Sequence, residues 1–144
     1  MDYSWQTGVI EDGLDQPGFI AEVVGLHPAC NFTFRPVTPE AWEGFEAEKE
    51  KRSAKNAEQA RAMIGEFLSK KIRSWDLTDS KGSVIPVSEL ACRKLRPILQ
   101  FKLYRIVCGL EPTDINPNWL QSTGSDEFKS LESLQPIQEQ IKNS

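Results

Sequence analysis

Histidine is the scarcest chemical resource in this chain of 144 residues, with His27 standing alone. An enzyme relying on an imidazole general base would have to use that residue. Cysteine is nearly as scarce: Cys30, Cys92 and Cys108 are odd in number and widely spaced. That pattern argues against a disulfide framework and for a reducing compartment. No run of 18 apolar residues occurs, so a transmembrane helix is not expected. The opening residues, Met1 to Trp5, lack the basic and apolar regions of a secretory leader, which leads to the expectation of a cytoplasmic protein. The Gly-x-Ser-x-Gly, P-loop, Gly-x-Gly-x-x-Gly and His-Glu-x-x-His patterns are all missing. An excess of basic residues is missing too: 17 Lys and Arg face 21 Asp and Glu, so nucleic acid is not the expected partner.

What the chain does have is unevenly distributed. Residues 1–39 hold five acids and one arginine, and residues 109–144 hold six acids and two lysines. The middle is neutral to basic, with residues 74–108 carrying three acids and six bases. A compact centre with solvated ends follows from that layout. The expected organisation is a flexible segment over 1–17, one domain over 18–119, and a flexible or weakly helical tail over 120–144. The tail shows only a weak pattern at Phe128, Leu131 and Leu134.

Within the centre, Gly18 to Val24 is rich in β-formers. Cys30 to Val37 alternates, with Cys30, Phe32 and Phe34 on one face and Asn31, Thr33 and Arg35 on the other. Gly25 to Ala29 separates the two stretches, so a β-hairpin with one buried face is predicted. Thr38-Pro39-Glu40 is a helix start: a capping hydroxyl, a proline suited to the first turn, and an acid at the positive helix end. The helix is predicted to run from there to about Trp75, with a period at Ile64, Phe67, Leu68, Ile72 and Trp75. Its middle is a charged shaft, and Gly44 and Gly65 are candidate weak points. Asp79 and Gly82 then mark a β-turn between Trp75 and Val87, read as a small hairpin or as two extended arms. Two shorter helices follow, one opening at Ser88 and one over 97–108, with a break before Pro97 and a stop at Gly109. Ile98, Leu99, Leu103, Ile106 and Val107 are placed on the apolar face of the second. The fold class is therefore α+β, with a core of Phe32, Phe34, Ile64, Phe67, Leu68, Ile72, Trp75, Leu90, Leu99, Leu103 and Ile106.

Two constellations invite a chemical reading, and both have a plainer one. His27 and Cys30 are three apart, as metal ligands often are. Completing a zinc site would require Cys92 and Cys108 from amphipathic helices. Buried cysteines acting as small hydrophobes fit better, and no metal or cofactor is expected. Asp76 and Asp79 flank a turn, where aspartates cap their own backbone. A third constellation suits a partner. Lys70, Lys71 and Arg73 end the long helix, Arg93, Lys94 and Arg96 lie near the next, and Trp42 and Phe45 stand at the other helix end. Basic residues rimming an apolar patch would take an acidic amphipathic helix. The competing reading buries Trp42 and Phe45 beneath the hairpin and leaves the cations solvated.

Taken in order, Phe32-Thr33-Phe34-Arg35-Pro36, a charged helix, Trp75-Asp76-Leu77-Thr78-Asp79 with Gly82, Pro86 and Val87, then Leu95-x-Pro97 and a helix ending Ile106-Val107-Cys108-Gly109, resemble the tail assembly chaperones of long-tailed bacteriophages and prophages. The similarity spans about residues 30 to 112 and rests on structural rather than catalytic residues. It implies a non-enzymatic protein of the bacterial host cytoplasm. Such a protein coats the tape-measure protein, helps recruit tail-tube subunits, and is absent from the finished virion. Many members are also made in a longer, frameshifted form. A structural tail or head-tail component retained in the virion, and a small cytoplasmic protein-interaction domain, remain as alternatives. Self-association stays open.

Overall fold

The structure is a computed structural model, and it describes residues 8–10, 13–53 and 56–122. The fold is α+β. Three antiparallel strands, β1 (Gln16–Ile20), β2 (Cys30–Phe34) and β3 (Ile72–Trp75), lie in the order β1-β2-β3. The helices are α1 (Pro39–Ser53), α2 (Ala57–Lys71), α3 (Glu89–Arg93), α4 (Pro97–Val107) and α5 (Pro117–Ser122).

The alternation of Cys30, Phe32 and Phe34 places all three on the buried face of β2. The preceding strand differs from expectation. It begins at Gln16, inside the segment read as loose, and ends at Ile20. Val23 and Val24 are exposed in the connecting loop, which a bridge from Val23 to His27 closes. Gly18 fixes this register. It lies opposite Phe32, and a Cβ there would come within 2.4 Å of the Phe32 ring, so only glycine lets the ring lie across β1.

The single long helix is corrected to a helix pair followed by a strand. Thr38 Oγ1 accepts the Ala41 N–H at 3.2 Å and starts α1 as expected. The helix stops at Ser53, and Asn56 begins α2 by accepting the Glu58 N–H at 2.9 Å. Neither predicted weak glycine makes the break. Gly65 serves instead as a point of close approach, since a Cβ there would lie 3.1 Å from the Arg93 backbone nitrogen of α3. Ile72 and Trp75 are buried as predicted, but on β3 rather than on a helix. Their spacing of three, a helical spacing, is accommodated by a bulge: Thr33 and Phe34 are adjacent on β2, yet they pair with Ser74 and Ile72. Arg73 is the extra residue, and it turns Ile72 back onto the face that Trp75 occupies.

Helices α2 and α4 cover the inner face of the sheet, α3 packs on α2, and α1 lies against α2. The core between them gathers Ile20, Phe32, Phe34, Ile64, Leu68, Ile72, Trp75, Leu99, Leu103 and Ile106. Two expected core residues differ. Phe67 is only partly buried, and Leu90 is 64% exposed. Ile98, expected on the apolar face of α4, points outward instead.

Side-chain clamps join segments distant in sequence. The Trp75 indole donates to the Ile85 carbonyl, fixing the turn unit beneath β3. Asp79 Oδ1 accepts the Lys81 and Ser83 N–H groups at 2.8 and 3.0 Å, and Gly82 takes a φ of 84° to close that turn. The free edge of β1 is covered by residues following α4. Asp114 N–H donates to Phe19 O at 2.9 Å, and Phe19 N–H donates to Thr113 Oγ1 at 2.7 Å. The strap thereby removes an open strand edge. Beyond it, α5 forms in a stretch where the sequence predicts no helix, and it runs into the start of the segment expected to be a flexible or weakly helical tail. Trp5 and the Phe128, Leu131, Leu134 pattern lie outside the described residues.

Candidate functional site

The thiols are built into the core. Burial pushes Cys30 up to about 12, helped by the nearby Asp76 carboxylate. Burial likewise raises Cys92 and Cys108 to about 11. Thiols held protonated at neutral pH are poor nucleophiles and poor metal ligands. His27 is buried in the β1–β2 loop, its Nδ1 2.9 Å from the Pro28 carbonyl. Among the described residues, no group of three or more His, Cys, Asp or Glu side chains is arranged to hold a metal ion.

The two turn aspartates serve separate structural ends. Asp79 caps its turn as described. Asp76 accepts the Asn31 backbone N–H and the Asn31 side-chain amide, both at 2.8 Å. Asn116 donates to the Asn31 side-chain carbonyl from the other side, so Asn31 ties the end of β3 to the segment entering α5.

The six cations expected to form one basic patch fall into three settings. Lys70 reaches back to Glu66 at 3.2 Å, one turn away on α2, while the Lys71 ammonium lies 6.0 Å from the centre of the Phe67 ring. Arg73, on the bulge of β3, approaches Asp15 at 3.7 Å beside Arg35, which pairs with the same carboxylate at 3.3 Å. Arg93, Lys94 and Arg96 form the third setting, at the bend between α3 and α4. Arg93 is paired with Glu89 at 2.7 Å, and Lys94 and Arg96 are exposed.

Trp42 and Phe45 do not form an exposed patch. Both pack against the core, though beneath helices rather than beneath the hairpin. Phe45 stacks on Phe67 at 4.4 Å between ring centres, and Tyr104 completes an aromatic cluster 5.8 Å away. The Tyr104 hydroxyl donates to Glu46. Burial pushes the Glu46 carboxyl up, but bonds from Lys49 and Tyr104 outweigh it and hold the group below its ordinary value. The Tyr104 phenol is pushed up by burial and by the Glu46 carboxylate. This seam attaches α1 to the body of the protein.

Among the described residues, two surfaces bear on a partner. One is a cleft of about 740 Å³ between α1, α2 and α3, with Ala62 and Met63 set among Lys51, Arg52, Glu66 and Arg93. The other is the outer side of α4, where Ile98 and Phe101 are exposed. Sequence reasoning missed the second because five apolar residues of α4 were assigned to one face. At 100° per residue, Ile98 lies far from Leu99, Leu103 and Ile106 and on the side of Phe101. No helix among the described residues is long and apolar enough to cross a membrane. The chain matches no protein-family model, no curated protein and no solved structure.

Proposed function

We propose that the chain is a non-enzymatic tail assembly chaperone of a long-tailed phage or prophage, acting in the cytoplasm of the bacterial host. In this reading it binds the tape-measure protein, keeps it soluble and helps bring tail-tube subunits to it. The observation that carries the reading is the convergence of the segments that resemble the family. Phe32 lies opposite Trp75, the Trp75 indole reaches Ile85, and Val37 N–H reaches the Val107 carbonyl at 3.4 Å. The resemblance is thus carried by residues that build one folding unit, as expected of a family defined by its scaffold. Thiols held protonated, Asp76 committed to Asn31 and Asp79 committed to its turn direct the functional reading to the surface. A partner made of long helices needs its apolar stripe covered, and helical faces with charged rims suit that task.

The experiment is coexpression with the long helical protein encoded nearby. The chain should copurify with it and raise its soluble fraction, and mass spectrometry of purified particles should find the chain absent. Retention in particles at a fixed stoichiometry would favour a structural tail component. Failure to copurify would remove the chaperone reading.

A further inference from the structure

Helix α4 carries apolar residues on two sides. Leu99, Leu103, Ile106 and Val107 are buried in the core, while Ile98 and Phe101 are 49% and 42% exposed. Residues three apart on a helix are neighbours, so the exposed pair is contiguous. Its electrical setting is one-sided. From Arg93 through Cys108 the sequence has five cations and no acid. Three of them are engaged: Arg93 with Glu89 at 2.7 Å, Lys102 with Asp114 at 3.0 Å, and Arg105 with Glu111 at 3.0 Å. The other two are exposed: Lys94 is the C-cap residue of α3, and Arg96 stands at the start of α4.

That position works against the helix. Arg96 is the N-cap residue and makes no side-chain capping bond, and the first turn holds no acid. A cation, Arg96, therefore stands at the positive end of the α4 dipole, where an Asp cap and a first-turn Glu would be stabilising, and Lys94 adds a second positive charge two residues before it. The unfavourable charge lies at one end of the apolar pair, where an external anion would relieve it.

We propose that the outer face of α4, with Ile98 and Phe101 as apolar anchors and Lys94 and Arg96 as the charged end, docks an amphipathic helix whose apolar stripe is flanked by Asp and Glu. The inference rests on the chaperone reading for the owner of that helix, the tape-measure protein. Apolar contact supplies affinity, and the cations set orientation and on-rate. A partner helix lying antiparallel to α4 brings its own negative end to Lys94 and Arg96. A second copy of this chain is the poorer occupant, because the acids nearest its own α4, Glu111 and Asp114, are already engaged by Arg105 and Lys102.

The test uses the full chain and a fluorescent synthetic helix with leucines at i, i+3, i+4 and i+7 flanked by glutamates. Controls are the same helix with lysines for glutamates and a peptide of residues 123–144. The glutamate helix should bind at least about tenfold more tightly than the lysine helix, and more weakly as salt rises. Phe101→Ser with Ile98→Ser should weaken it by about tenfold or more. Arg96→Asp should abolish the charge preference while raising the melting temperature, because it supplies the missing cap. A residue retained only for folding would not show that opposition.

Equal binding of the two helices, binding unchanged in the variants, tighter binding of the 123–144 peptide, or a dimer that Phe101→Ser dissolves would each overturn the proposal. Tape-measure protein captured equally by wild type and variants would remove this face and leave the chaperone reading standing. Glutamate helix bound here without capture of that protein would do the reverse.

Discussion

Helices α1 and α4 represent opposite ways of making a helix stable. Six of the eleven residues of α4 are buried, and Leu103 is completely enclosed. Helix α1 has no fully buried residue among those described; it is held by the Trp42, Phe45 and Glu46 seam and by ion pairs along its own surface. Apolar burial stabilises α4, whereas local charge pairs and one aromatic cluster hold α1. The difference indicates that α1 should open first while the sheet, α2 and α4 persist.

The sharpest way to break the comparison is Leu103→Ala, which leaves a cavity beneath the sheet. It should cost about 2–5 kcal/mol in denaturant unfolding, and a loss below about 0.5 kcal/mol would mean the site is not core. Gly65→Ala comes next, because its methyl meets the Arg93 backbone where α2 and α3 touch. About 1–3 kcal/mol should be lost there, despite the better helix propensity of alanine. On the α1 side, Phe45→Ala removes a half-buried ring and should cost about 1–2 kcal/mol. Hydrogen exchange should then accelerate in α1 before α4.

Acid should loosen the same seam. Glu46 is held below its ordinary value, so its contribution is complete above the unfolded carboxylate range and disappears as pH falls through the folded value. Asp114 behaves alike: burial pushes it up, but the Ala21 N–H and Lys102 outweigh that effect. Stability should therefore fall as the solution is acidified below about pH 4, and Glu46→Gln with Asp114→Asn should flatten that decline. The smallest effect belongs to the exposed Arg52–Glu48 pair, where Glu48→Ala should change stability by only about 0.3–0.5 kcal/mol.

Thiol accessibility checks the core independently. The buried cysteines should resist alkylation in the native protein, and all three should react once denaturant is added.

The elements readable from sequence were those whose signals are local. Thr38 and Pro39 start a helix because of a side-chain acceptor and a fixed φ. Asp79 and Gly82 close a turn by the same kind of short-range bonding, and Gly109 ends α4 with a positive φ of 75°. Alternation placed Cys30, Phe32 and Phe34 on one face because side chains in a strand have a period of two. The basic residues were visible as well, but their grouping was not, since spacing along the chain does not show which carboxylate each cation meets.

Tertiary structure decided what those local signals left ambiguous. Ile72 and Trp75 fit a helical stripe, yet β2 offers them backbone partners and a bulge at Arg73 brings both inward, so they form a strand. Phe45 and Trp42 became part of the body because α1 folds back on α2, and Ile98 was left outside because Leu99, Leu103 and Ile106 already fill the space above the sheet. The sequence by itself determined where elements begin, turn and stop, through hydrogen bonds and dihedral limits within a few residues. Only the tertiary structure decided which apolar side chains are covered, because burial depends on surfaces contributed by segments far apart in the chain.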